Sequence, residues 1–135
     1  DYECHLAASE AEIGAWLLPL AEAGVDIFHC SQREFNAPAF PGGKMNFAGY
    51  VKRVTGRPTI TVGSVGLEPE FYDYDAKPDT PSLRELIARL ERDEFDLVSV
   101  GRAILSEPNF VQKLHKGRFE EMKPFARELI SGELL

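Results

Sequence analysis

Apolar residues follow two spacings along this chain, one typical of helices and one typical of buried strands. Apolar positions recur three or four residues apart after Ser9, over 45–54, after Thr80 and over 119–130, which predicts four amphipathic helices. Short β-branched runs predict three buried strands at 25–30, 58–63 and 96–100. Two shorter helices are predicted after Arg102 and near 108–115. The resulting order of alternating helices and strands is typical of a parallel α/β fold with right-handed crossovers.

Capping residues mark the ends of several predicted helices. Ser9 and Thr80 can accept a hydrogen bond at the start of the first and third helices, and Gly24 and Gly56 can end the first and second. The segment 31–43 is polar, aromatic and rich in proline, and it is long for a connection between a strand and a helix. Such loops often carry function.

Glycine follows two of the predicted strands, at Thr59–Gly66 and at Asp96–Arg102. Neighbouring parallel strands that end in glycine place bare backbone N–H groups at one edge, and (β/α) barrels hold a phosphate after their last two strands in this way. Arg102 follows the second glycine segment, where its guanidinium could bind phosphate oxygens. The sequence therefore predicts a site for a phosphorylated ligand.

The length and the net charge of the chain limit the kinds of protein to which it can belong. The chain has 135 residues, whereas a whole (β/α)8 barrel needs about 250. A net charge of −7 argues against nucleic acid and against an anionic membrane surface as partners. Charged residues interrupt every apolar run, so no membrane span is expected. The opening residues Asp1–His5 do not resemble a signal peptide, and two cysteines make no disulfide framework, so we expect a cytoplasmic protein.

Structural roles, and not catalytic ones, are predicted for His29 and Cys30. Cys30 ends an apolar run and is expected to be a buried reduced thiol. His29 is expected to be a structural residue, buried or placed between strand and helix. The spacing of His, Cys, Asp and Glu residues matches no metal site.

A dinucleotide-binding sheet is the competing α/β fold. That fold requires G-x-G-x-x-G at the start of a helix, and Gly63-Ser64-Val65-Gly66 lacks this spacing. Two consecutive glycine-ended strands close to the C-terminus fit a barrel better.

Four segments in their order resemble the C-terminal half of the old yellow enzyme family, the FMN-dependent NAD(P)H:flavin oxidoreductases. They are 24–31, 47–52, 58–67 and 95–103. The resemblance covers nearly the whole chain. It implies that residues 1–135 form a single partial-barrel domain, about strands 6 to 8 of a TIM (β/α)8 barrel with their helices, without the N-terminal half.

The resemblance also implies which residues bind the cofactor. Backbone N–H groups of Gly66 and Leu67 would hold the FMN phosphate together with Gly101 and the side chain of Arg102. Gly63 and Ser64 would lie at the strand end under the flavin, and Phe35 would line the substrate or flavin edge. The family's substrate-binding pair and its tyrosine proton donor lie in the first half of the barrel, so no catalytic residue is assigned in this chain.

The implied chemistry is a hydride relay, in which NAD(P)H reduces FMN and the reduced flavin reduces an electron-poor alkene. This chain would supply the phosphate clamp and is not expected to be active alone. Two alternatives are a phosphosugar-binding half-barrel without flavin and a non-catalytic structural or assembly module. Because three strands leave two open edges, we expect self-association or pairing with the missing half-barrel.

Overall fold

A computed structural model describes residues 7–67 and 80–125. Its helices are α1 (Glu10–Glu22), α2 (Phe47–Thr55), α3 (Thr80–Glu91), α4 (Arg102–Ser106), α5 (Phe110–His115) and a 3-10 turn at Phe119–Glu121, and its strands are β1 (Phe28–Ser31), β2 (Thr59–Val62) and β3 (Leu97–Val98). The chain divides into two compact units. The first contains the described residues of Asp1–Gly63 and Glu85–Ser99, and the second contains those of Ser64–Arg84 and Val100–Leu135.

The three strands lie in the first unit and form one parallel sheet. Their order is β1-β2-β3, with Phe28 opposite Thr59 and Thr61 opposite Val98. This confirms the predicted mixed α/β class with parallel strands. Strand β1 begins later than predicted because the N–H of Val25 donates to the carbonyl of Leu20 at 3.1 Å, which ties that residue to the end of α1.

The two faces of the sheet differ in burial. Cys30, Thr59 and Thr61 point to the face on which α2 packs, and all three are buried. On the other face His29 is exposed and Leu97 keeps 53% of its surface accessible. The prediction that His29 is buried or lies between strand and helix is therefore wrong, because its side chain alternates with that of Cys30 and leaves the helix-covered face.

A buried asparagine joins the parts of the first unit. Asn46 is the N-cap of α2 and accepts a hydrogen bond from the N–H of Gly49 at 2.8 Å. Its Nδ2 donates to the carbonyl of Phe35 at 2.8 Å and to the Thr61 hydroxyl at 3.0 Å. The side chain is fully buried, so this one amide ties the loop after β1 to strand β2 and to helix α2.

A buried arginine closes the same region from α3. Arg89 pairs with Glu85 and with Glu94, each at 2.8 Å, and only 8% of its side chain is exposed. Its guanidinium also donates to the carbonyl of Asn36 at 3.2 Å. Glu94 in turn accepts from the N–H of Asn46 at 3.0 Å. The charges and amides in this cluster are thus paired with one another inside the unit.

The predicted helix over 119–130 is wrong in its described part. Only Phe119–Glu121 is helical, as a single 3-10 turn, and Met122 already has extended backbone with φ −71° and ψ 137°. Pro124 explains the break, because proline disfavours helical conformation in the residue before it and has no N–H to donate. Residues 126–130 of that prediction lie outside the described residues. None of the described helices is long and apolar enough to cross a lipid bilayer.

Candidate functional site

Gly63 directly follows strand β2, at a point where the backbone is crowded. Its φ is +145°, and a Cβ there would lie 2.5 Å from the carbonyl oxygen of Gln32 and 2.9 Å from the nitrogen of Phe35. The Gly63 carbonyl accepts from the N–H of Phe35 at 3.0 Å. Only glycine fits this close approach, which fastens the loop after β1 to the end of β2.

The next four residues of the chain form a tight turn in the second unit. The N–H of Leu67 donates to the carbonyl of Ser64 at 3.1 Å. Gly66 has φ +72°, and Ser64 has φ +46°, which is uncommon for a residue other than glycine. The predicted donor Leu67 thus already has an acceptor within the turn. No acceptor among the described residues receives the N–H of Gly66.

Gly66 also lies against the helices that follow the second glycine segment. A Cβ at Gly66 would be 2.7 Å from Cε2 of Phe110 and 3.4 Å from Cβ of Ala103. Ala103 is the second residue of α4 and follows Arg102 directly. The structure therefore brings the turn at Gly66 and the beginning of α4 together, although 34 residues separate Gly66 from Gly101, the N-cap of α4.

The beginning of α4 combines an exposed glycine with a half-buried arginine. Gly101 is its N-cap, is exposed and provides no side-chain hydrogen bond to the first turn. Arg102 is half-buried, and its Cζ lies over the ring of Phe125 at 5.7 Å from the centroid. Backbone N–H groups and a guanidinium together are the usual ligands of a phosphate monoester.

A buried carboxylate stabilises the same unit. Glu107, at the end of α4, accepts from Nζ of Lys113 at 2.5 Å and from the N–H groups of Asn109 at 3.2 Å and Lys123 at 3.4 Å. The hydrogen bond from Lys113, followed by those from the backbone, lowers the pKa of Glu107 below its usual 4.5 even though burial acts in the other direction. Glu107 therefore links α4, α5 and the segment after the 3-10 turn.

Phe35 and Gly63 belong to the first unit, whereas the other predicted site residues belong to the second. The side chain of Phe35 is 1% exposed and belongs to the core. Its predicted place at the substrate or flavin edge stays a prediction. Cys30 is buried as expected, and burial raises the pKa of its thiol to about 12.

Sequence reasoning did not identify two aromatic residues that contact the predicted site. Phe110 covers Gly66, and Phe125 lies under Arg102. Phe125 belongs to the apolar stripe that predicts the last helix over 119–130. Its spacing therefore predicts a packing position in that helix, not a contact with Arg102. Phe110 carried no signal beyond an ordinary apolar position near the start of a short helix.

Comparison with known proteins does not add a family. No protein-family model matches the chain, and no curated protein gives a significant match. Within residues 7–67 and 80–125, no group of three or more His, Cys, Asp or Glu side chains is arranged to hold a metal ion.

Proposed function

We propose that this chain is the FMN-binding portion of an NAD(P)H-dependent flavin oxidoreductase that reduces electron-poor alkenes. The observation that carries the proposal is the contact of the Gly66 turn with the beginning of α4, beside Arg102. The motif resemblance to the old yellow enzyme family supplies the identity of the ligand, and the geometry suits its phosphate group.

The residues present fit a phosphate monoester. The N–H of Gly66 and the guanidinium of Arg102 would bind phosphate oxygens, and Gly101 leaves room because it has no side chain. When bound, FMN would accept hydride from NAD(P)H and deliver it to the alkene. The residues of this chain would hold the cofactor rather than move protons. Such binding affects loading of the cofactor more than the hydride barrier.

A partial (β/α)8 barrel is the architecture that we propose for the sheet. Consecutive strand order with α2 against one face is what three adjacent barrel strands would show. Parallel sheets are normally covered on both faces, whereas His29 and Leu97 remain accessible. We therefore propose that the chain self-associates or pairs with the rest of a barrel. The buried reduced thiol of Cys30 is in keeping with a cytoplasmic location.

Titration of the purified chain with FMN and with riboflavin tests the function. Riboflavin carries the same ring without the phosphate, so the ratio of the two affinities isolates the clamp. We expect Arg102→Ala to weaken FMN binding about 10- to 100-fold, as for loss of a charged hydrogen bond, and to leave riboflavin unchanged. Arg118→Ala is the matched control, because Arg118 is an exposed arginine of the same unit.

The same titration separates the alternatives. A sugar phosphate that binds more tightly than FMN would favour a phosphosugar-binding half-barrel. Indifference to FMN, riboflavin and sugar phosphate alike would overturn the proposal and would favour a structural or assembly module.

A further inference from the structure

We propose that Phe125 is a positioning residue that holds the guanidinium of Arg102 at the phosphate site. This inference rests on the proposed function, since it assumes that Arg102 binds a phosphate. It assigns a role to an aromatic residue that lies 23 positions after Arg102 in the chain.

The contact between the two side chains has the geometry of a cation–π interaction. Cζ of Arg102 lies over the Phe125 ring at 5.7 Å from the centroid, and such contacts are favourable within about 6 Å. A phenyl ring carries no oxygen or nitrogen atom, so its contact with a guanidinium does not use an N–H donor in the way that an oxygen ligand does. Phe125 can therefore restrict Arg102 without competing with a phosphate.

Phe125 itself is held firmly. Its ring is buried with 4% of its surface exposed, as is Met122 with 6%. The N–H of Lys123 donates to Glu107 at 3.4 Å, and Nζ of Lys113 bridges Glu107 and the carbonyl of Glu121. The segment that carries the ring is thus bonded to α4 and α5, and α4 begins with Arg102. An arginine side chain held in this way loses less conformational freedom when a ligand binds.

The second unit contains a matched pair for comparison. Cζ of Arg84 lies over the ring of Phe119 at 4.9 Å, and Phe119 is buried to a similar degree, with 6% exposed. Arg84 belongs to α3 and was not among the predicted phosphate ligands. Loss of the Phe119 ring therefore reports the general cost of removing a buried aromatic residue from this unit.

The experiment compares Phe125→Leu with Phe119→Leu by titration with FMN and with riboflavin. Leucine keeps apolar volume and removes the ring face. We expect Phe125→Leu to weaken FMN binding about 5- to 30-fold and to leave riboflavin binding unchanged. In the Arg102→Ala background the same substitution should have no further effect on FMN. Phe119→Leu should leave the ratio of FMN to riboflavin affinity at the wild-type value.

Three results would overturn the inference while the proposed function stands: an unchanged affinity ratio in Phe125→Leu, an equal loss for both flavins, or an undiminished effect in the Arg102→Ala background. A wild-type chain that does not distinguish FMN from riboflavin would overturn the proposed function itself. Should Phe125→Leu fail to fold, NMR relaxation of the Arg102 Nε–H in the wild-type chain decides. Restricted motion and a ring-current shift are expected, and free rotation would overturn the inference.

Discussion

The two units differ in how their helices begin. In the first unit α1 and α2 start at Ser9 and Asn46, whose side chains accept hydrogen bonds from Glu12 and Gly49. In the second unit α4 and α5 start at Gly101 and Asn109 without a side-chain hydrogen bond to the first turn. Side chains of the N-cap residues therefore satisfy the starts of α1 and α2. At α5 the N–H groups of Asn109 and Phe110 donate to Glu107 instead, and at α4 no cap side chain would compete with an external anion.

This difference separates residues that maintain the fold from residues suited to a ligand. The amide of Asn46 and the guanidinium of Arg89 each make several hydrogen bonds. All of these partners lie inside the first unit, so the two side chains stabilise its structure. Substitutions there should lower the free energy of unfolding. Substitutions at the Gly66 turn and Arg102 should instead change ligand affinity, with stability affected only where a clash or backbone strain is introduced.

The largest effect is expected from Asn46→Ala. The substitution removes a helix cap and leaves the Phe35 carbonyl and the Gly49 N–H without their buried partner, and these losses should total about 3 kcal/mol. Urea unfolding followed by the fluorescence of the single tryptophan, Trp16 in α1, measures it. Ser9→Ala removes only the more exposed cap of α1 and should cost about 1 kcal/mol. Equal losses in the two variants would contradict the central role of Asn46.

Gly66→Ala should have the next largest effect. A methyl group there would meet the ring of Phe110 at 2.7 Å in addition to the strain of a positive φ, so we expect a loss of about 2–3 kcal/mol and weaker FMN binding. Gly42→Ala is the control, because Gly42 has a similar φ of +76° with nothing within 4 Å of the new methyl group. It should cost only about 1 kcal/mol. Thermal unfolding of both variants tests the comparison, and similar costs would show that the Phe110 contact yields easily.

The substitution Glu107→Gln should lower the stability less than the two changes above. Its effect should be limited to pH values at which the wild-type carboxylate is charged. The folded-state pKa of Glu107 is lowered from 4.5, so its carboxylate stabilises the fold above about pH 4.5. This contribution is lost as the pH falls through the folded-state pKa. We expect the melting temperature of the wild type to fall in that acidic range and the variant to fall less. Exposed Glu120→Gln serves as the control and should follow the wild-type profile.

Much of the fold follows from local sequence signals. Helical spacing and caps predicted α1 and α2, and the β-branched run that ends in Gly63 predicted β2. The errors arose where a local pattern depends on what surrounds it. The apolar stripe from Phe119 reads as a helix, but Pro124 stops it. His29 lies in an apolar run, and alternation alone does not reveal which face of a sheet is covered.

The candidate site was predictable only in its backbone. Glycine after two strands predicts Gly66 and Gly101 as site residues. At Gly66 the positive φ explains why glycine is there, and their role in binding stays a prediction. The contacts of Phe110 with Gly66 and of Phe125 with Arg102 join residues that are far apart in the chain. The identity of an apolar residue does not indicate which distant residue it will contact. The same holds for Asn46, whose bond to Thr61 depends on how the helix lies on the sheet.

The buried thiol of Cys30 makes it possible to measure how often the first unit opens locally. With a pKa of about 12 and 3% exposure, the sulfur stays protonated and shielded near neutral pH, and alkylating reagents attack thiolates. Modification of Cys30 in a Cys4→Ser chain would then proceed only during transient openings of the unit. The rate of Cys30 labelling would report how often β1 separates from its neighbours. The measurement needs neither a denaturant nor a bound ligand.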